Sequence, residues 1–137
     1  MRGLPSTLPS SSCVSSNCAL PQVPFAWGGA EILASQLVEE LRRRGHQAEL
    51  ISVPFKWYPV SELTRQALAW RLLDVTESNG TKVDLVIPTK FPSYLVRHPR
   101  KVGWLFHQHR EAYDLYGTEY CSFRKTPEDD QVREAIV

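Results

Sequence analysis

Two short stretches, "AELISV" (48–53) and "VDLVIP" (83–88), are apolar on both faces, and nothing else in the sequence constrains the fold as tightly. A strand with one face in water alternates apolar and polar residues, so a strand without that alternation must be covered twice. A third run, "KVGWLF" (101–106), joins the set. Between these runs the apolar period changes from two to about 3.6. From Ala30 onward, Leu33, Leu37 and Leu41 recur every fourth residue, and Ile32 and Val38 widen the stripe. In "ELTRQALAWRLLD" the inward positions are Leu63, Ala67, Trp70 and Leu73, behind Ser61 as a candidate N-cap. Doubly covered strands alternating with amphipathic helices predict an α/β fold built on a parallel sheet.

The boundaries of these elements are legible as well. Arg42, Arg43 and Arg44 complement the negative end of the first helix, and Gly45 follows as a natural C′ residue. The arginine triplet reads as a solvated helix end. "PFKWYP" is an aromatic loop closed by Pro59, and Asn79-Gly80 breaks the second helical segment from the next strand. In "TPEDDQVREAIV", Thr126 is the expected N-cap, Pro127 the first helical residue, and the acids fill the first turn. Residues 1–21 are different: six serines, three prolines and two cysteines with almost no periodicity. They read as a disordered Ser/Pro-rich leader ahead of a domain at 22–137. The chain reads as cut at both ends.

Composition narrows the function classes. A length of 137 residues fits one domain, and a net charge of +1 gives no global field for nucleic acid or an anionic membrane. No apolar run approaches the ~20 residues of a membrane span. Cys13, Cys18 and Cys121 are an odd number without metal-ligand spacing, and read as reduced cytosolic thiols.

Candidate chemistry lies at two places. In "QVPFAWGGAEILASQLVEELRRRGH" the pair Gly28-Gly29 immediately precedes the first helix. Unpaired backbone N–H groups and the helix dipole make such a turn an anion site, and glycines equally serve a tight turn alone. The pattern lacks G-x-G-x-x-G, and Glu49, at the distance of a ribose-binding acid, falls early in its strand, so a dinucleotide fingerprint is disfavoured. A P-loop motif is absent. The second place is "HQHR" after the third strand. Ligands of open α/β sheets bind beyond the carboxyl ends of strands, where His107, His109 and Arg110 fall. Contact with a polar or phosphorylated ligand fits them better than a metal, because further metal ligands are scattered. Polar residues finishing a strand are the plain alternative. Lys90, just past the second strand, points to the same rim and suits a phosphate or carboxylate.

Together, "QVPFAWGGAEILASQLVEELRRRGHQAELISVPFKWYP", "DLVIPTKFPSYLVRHPRKVGWLFHQHREAYDLYGT" and "TPEDDQVREAIV" resemble the N-terminal domain of family-4 retaining glycosyltransferases of the GT-B fold. "KFPSYLVRHP" with "WLFHQHR" is similar to a bacterial subgroup. The resemblance implies a Rossmann-like parallel sheet with flanking helices, forming the N-terminal half of a two-domain enzyme. It implies a nucleotide-sugar donor, a glycan or lipid-linked acceptor, and no cofactor or metal. By the same resemblance His107, in the context Leu105-Phe106-His107, is the catalytic residue contacting the transferred sugar. Gly28 and Gly29 lie near acceptor and diphosphate, and Lys90, His109 and Arg110 are substrate-binding by position. The expected location is cytoplasmic, with peripheral attachment at the inner membrane face as the alternative. Relatives open with a strand of type "MKILLVN", so the first strand is expected to be degraded or missing here, and the donor-binding C-terminal domain is missing from the sequence. The rivals are a stand-alone α/β module binding a small phosphorylated ligand and an inactive remnant.

Overall fold

A computed structural model describes residues 12–137. Its centre is a three-stranded parallel sheet of β1 (Ser15–Gln22), β2 (Gln47–Pro54) and β5 (Leu85–Pro88), in the order β2-β1-β5. Helix α1 (Gly29–Arg43) connects β1 to β2, and α2 (Glu62–Leu72) follows β2. A small antiparallel hairpin of β3 (Glu77–Ser78) and β4 (Thr81–Lys82) leads into β5, and α3 (Pro127–Ile136) closes the chain. The α/β class and the parallel sheet with flanking helices are therefore present.

The first strand is the main correction. It is neither missing nor part of a disordered leader: β1 occupies the middle of the sheet, paired along all eight residues with β2. Residues 1–11 of the expected leader lie outside the described residues. β1 escapes a hydrophobicity reading because a central strand pressed between helices needs small side chains as much as apolar ones. Ser16, Cys18 and Ala19 are buried alongside Leu20. Cys18 and Leu20 pack with Ala34 and Val38 of α1, while Ala19 packs with Trp70 of α2 on the opposite face. Pro21 is tolerated for a geometric reason. Successive residues of β1 turn their backbone groups to alternate neighbours: Ala19 C=O accepts from Thr89 on the β5 side and Gln22 C=O from Phe55 on the β2 side. Pro21 thus faces the β5 side, beyond the last β1–β5 pair, Ala19 with Pro88. The N–H it lacks would fall outside the β1–β5 ladder.

The run 101–106 lies parallel to β5 with an interrupted ladder. Val86 N–H donates to Arg100 C=O, and Val102 and Trp104 N–H donate to Val86 and Pro88 C=O. The reciprocal bond from residue 88 cannot form, because proline has no N–H. Phe106 N–H then bonds Thr89 C=O, a slip of one residue in register. What sequence alone reads as a third strand is an extended edge segment that holds on through isolated bridges.

The helices carry their own differences. The deepest residues of α1 are Ala34 and Val38, with Leu37 and Leu41 partly covered. Ile32 and Leu33, expected on the inward stripe, are 45% and 44% exposed, because the face turned to the sheet runs through Ala34, Leu37, Val38 and Leu41. Leu63, Ala67 and Trp70 of α2 are buried as their spacing predicts. Thr126 caps α3 by accepting from Asp129 N–H at 3.2 Å, and Ile136 joins a cluster with Leu63, Phe91, Ala112 and Phe123. Asn79 (φ 50°) and Gly80 (φ 79°) form the corner of the hairpin, both in the left-handed region that two-residue hairpin turns require.

Candidate functional site at the carboxyl edge of the sheet

Three chain segments meet at the carboxyl ends of the strands: the loop 23–28 after β1, the turn after β5, and the end of the edge segment. Gly28 is the N-cap of α1 with an ordinary extended backbone (φ −130°), so conformation does not demand a glycine there. Space does not demand one either: a Cβ at Gly28 would lie 3.4 Å from Glu31 Oε2, an ordinary contact with the end of a flexible side chain. At Gly29 a Cβ would meet nothing within 4 Å, so an approaching ligand can come close to this backbone. The N–H groups of Gly29 and Ala30, in the first helical turn, have no intrahelical partner.

Glu31 organises this end of α1. Its Oε2 accepts from Gly28 N–H at 2.9 Å, the N3-to-N-cap half of a capping box. Its Oε1 pairs with Lys90 Nζ at 3.2 Å, and the two side chains are only 9% and 12% exposed. Burial pushes the carboxyl pKa up, but the backbone N–H groups of Glu31 and Gly28 and the Lys90 ammonium outweigh it, leaving the value lowered. The anion position expected at the glycine turn is thus partly filled by the chain's own carboxylate. Lys90, expected as a partner for a phosphate or carboxylate, is paired with the same carboxylate of the chain. Behind it the turn is rigid: Ser93 Oγ donates to Lys90 C=O and accepts from Thr89 N–H, and the Thr89 hydroxyl donates to Ala19 C=O.

Lys90 is bridged through its backbone to His107, so the two strand ends lie side by side. His107 is exposed, with Nδ1 2.9 Å from Gln108 C=O. It lines an open cavity of about 520 Å³ with Leu105, Gln108, Arg110 and Asp114. Arg110 contacts Asp114 Oδ2 through both Nε and a terminal nitrogen at 2.9 Å, which offsets its charge. His109 turns the other way. Its ring lies 5.4 Å from the Phe91 ring and 6.4 Å from Phe123, and its Nε2 is buried without a hydrogen-bond partner among the described residues. Burial lowers its pKa; Glu111 opposes that effect and His107 adds to it. The structure therefore groups Gly28, Gly29, Lys90 and His107 along one rim, sets Arg110 beside His107, and places His109 against the core.

Sequence reasoning missed Glu31, although its spacing from Gly28 is that of a capping box. It also gave no role to the aromatic loop after β2. That loop lies against the loop after β1, joined by Phe55 N–H to Gln22 C=O at 2.8 Å. A polar cleft of about 440 Å³ opens at the opposite, amino edge, near Ser16, Asn17 and Glu49. There Glu49 pairs with Arg42 at 2.8 Å, away from the strand ends where a ribose-binding acid would act. Among the described residues no three His, Cys, Asp or Glu side chains are grouped to hold a metal, and no helix is long and apolar enough to cross a membrane. No family model, curated protein or solved structure matches the chain.

Proposed function

We propose that this domain is the acceptor-side half of a glycosyltransferase that moves a sugar from a nucleotide-sugar to an acceptor. The observation that supports it is the rim itself: the N-terminus of α1, Lys90 and the exposed His107 converge at the carboxyl edge of a parallel sheet. In this reading the N–H groups of Gly29 and Ala30 face the donor diphosphate, and His107 faces the transferred sugar. Catalysis would be positioning and electrostatic stabilisation of a charged transition state and a departing diphosphate. A second domain would supply most of the donor affinity.

The test is a titration of the ¹⁵N-labelled chain with UDP-glucose, GDP-mannose and inorganic phosphate. Either nucleotide-sugar is expected to shift the Gly29 amide and the His107 ring more than phosphate does, and His107→Ala should remove the difference. Equal responses to phosphate would favour the module for small phosphorylated ligands, and no response at Gly29 up to about 10 mM nucleotide-sugar, which saturates even a contact with a Kd of about 1 mM, would end the sugar-transfer reading. The chain alone is expected to turn over no nucleotide-sugar, since one wall of a cleft cannot enclose a transition state. Turnover by the purified chain would refute the assignment to half an enzyme.

A further inference from the structure

The loops after β1 and β2 form a second feature on the same edge, distinct from the rim of Lys90 and His107. They enclose a cleft of about 350 Å³ lined by Pro24, Phe55, Lys56, Trp57, Tyr58 and Gln66. That volume is at the lower end of the ~300–1,000 Å³ typical of small-molecule sites. The walls are aromatic: Phe55 and Trp57 stack at 6.5 Å and 29°, and Trp57 meets Tyr58 edge to face at 5.2 Å and 84°. Lys56 Nζ lies 5.1 Å from the Tyr58 ring centre.

An independent feature marks the neighbouring loop. Ala26 N–H bonds Val23 C=O at 3.2 Å, closing a turn with Pro24 and Phe25 at its corners. Phe25 sits there at φ 64°, where glycine or asparagine is the usual occupant. Its ring is fully exposed, so no packing among the described residues offsets the backbone strain. Trp27, two residues on, is 63% exposed. Strained backbone residues cluster at active sites, ligand clamps and switch regions.

We propose that this cleft is a carbohydrate-binding subsite that seats a pyranose ring against Trp57 and Tyr58. The chemistry separates a sugar from a planar nucleobase. A base and a sugar can each stack on the Trp57 face, but the corner that Trp57 and Tyr58 make at a near right angle favours a ring with C–H groups on more than one side. A puckered sugar ring offers C–H groups to such a corner and hydroxyls around its rim. Lys56 supplies ammonium donors and Gln66 an amide that both donates and accepts, the set that hydroxyls require. Naming this sugar the acceptor rests on the sugar-transfer reading, but binding in the cleft does not.

The experiment follows the indole N–H signals of the four tryptophans in the ¹⁵N-labelled chain, with Trp57 assigned through Trp57→Phe. Cellobiose, maltose and methyl mannoside are the probes, and AMP is the planar competitor. At least one sugar is expected to shift the Trp57 signal saturably while Trp104 stays still. Trp57→Ala should weaken that binding about tenfold, the scale of one aromatic contact. The buried Trp70 signal reports folding; if Trp57→Ala perturbs it, the exposed Tyr58→Ala decides instead. No saturable shift from any sugar, or an equal shift from AMP, overturns the proposal. Failure at Gly29 with nucleotide-sugars alongside a retained sugar response at Trp57 would refute only the transfer reading. The reverse pattern would refute only the cleft.

Discussion

Glu31 decides how strongly the glycine turn can hold an anion. Its carboxylate already takes Gly28 N–H and the Lys90 ammonium, so an incoming phosphate meets a neutralised lysine and a resident negative charge. Glu31→Gln should therefore tighten pyrophosphate binding about fivefold, the equivalent of about 1 kcal/mol, as titration of the Gly29 amide would read. The same change should lower stability by about 1–2 kcal/mol through the weakened cap and lost ion pair. Because the folded pKa of Glu31 lies below its ordinary 4.5, the stability gap between wild type and variant is fully present above that pH. It should close as pH falls from 4.5 through the lowered folded value, which paired melts across that range would show. Unequal roles are also expected for the two histidines. In an enzyme completed by a donor-binding domain, His107→Ala should lower kcat by roughly 10²-fold, the scale of one polar contact to the transition state. His109→Ala should act mainly on stability, since its ring packs between Phe91 and Phe123. A larger kcat loss at His109 than at His107 would reverse the assignment.

At the scale of elements, helical period located α1 and α2, cap chemistry located α3, and short apolar runs located β2 and β5, although β2 fully buries only Ala48 and keeps Leu50, Ile51 and Val53 half-buried. β1 was illegible because it offers none of these signals. Ser16, Cys18 and Ala19 are buried by position, as the middle strand between two helical layers, and their residue types announce nothing of it. The edge segment 101–106 was legible as apolar, but its broken ladder depends on Pro88, which matters only once the register with β5 is known. The site divides in the same way: glycines, Lys90 and His107 follow from strand-end logic, whereas the inward turn of His109 depends on packing from Phe123, far along the chain. The placement of β1 has a direct chemical test. Cys18 is 1% exposed, and burial pushes its thiol pKa up to about 11. Cys13, just ahead of the strand, is exposed. Iodoacetamide at neutral pH should thus modify Cys13 quickly and Cys18 only after denaturation, as peptide mapping would show. Equal modification rates would return residues 13–18 to a disordered leader.

At the scale of the whole molecule, the two long sides of the sheet are protected unequally. Along β2 the exposed positions are Gln47, Glu49, Ser52 and Pro54, and Glu49 is ion-paired with Arg42, a pattern of polar groups and a proline that discourages pairing with another sheet. The opposite side ends in the segment 101–106, where Val102, Trp104 and Leu105 are 57%, 43% and 53% exposed. Their backbone ladder with β5 is incomplete, and Ile32 and Leu33 of α1 add further apolar surface elsewhere on the molecule. An extended apolar edge of this kind is a template for strand addition by a second molecule. Association should increase with concentration, and it should do so through this side, not through β2. A charge placed there tests the direction. Val102 contributes exposed surface but belongs to none of the buried clusters, so Val102→Lys should leave the fold intact. Its ammonium would oppose any strand approaching the edge, as charged residues do on natural edge strands. Light scattering across a concentration series should show the variant remaining monomeric where the parent chain associates. A charge on the other side, Ser52→Lys in β2, should leave association unchanged. If the two lysine variants behave alike, the contact lies elsewhere, and the apolar edge does not drive it.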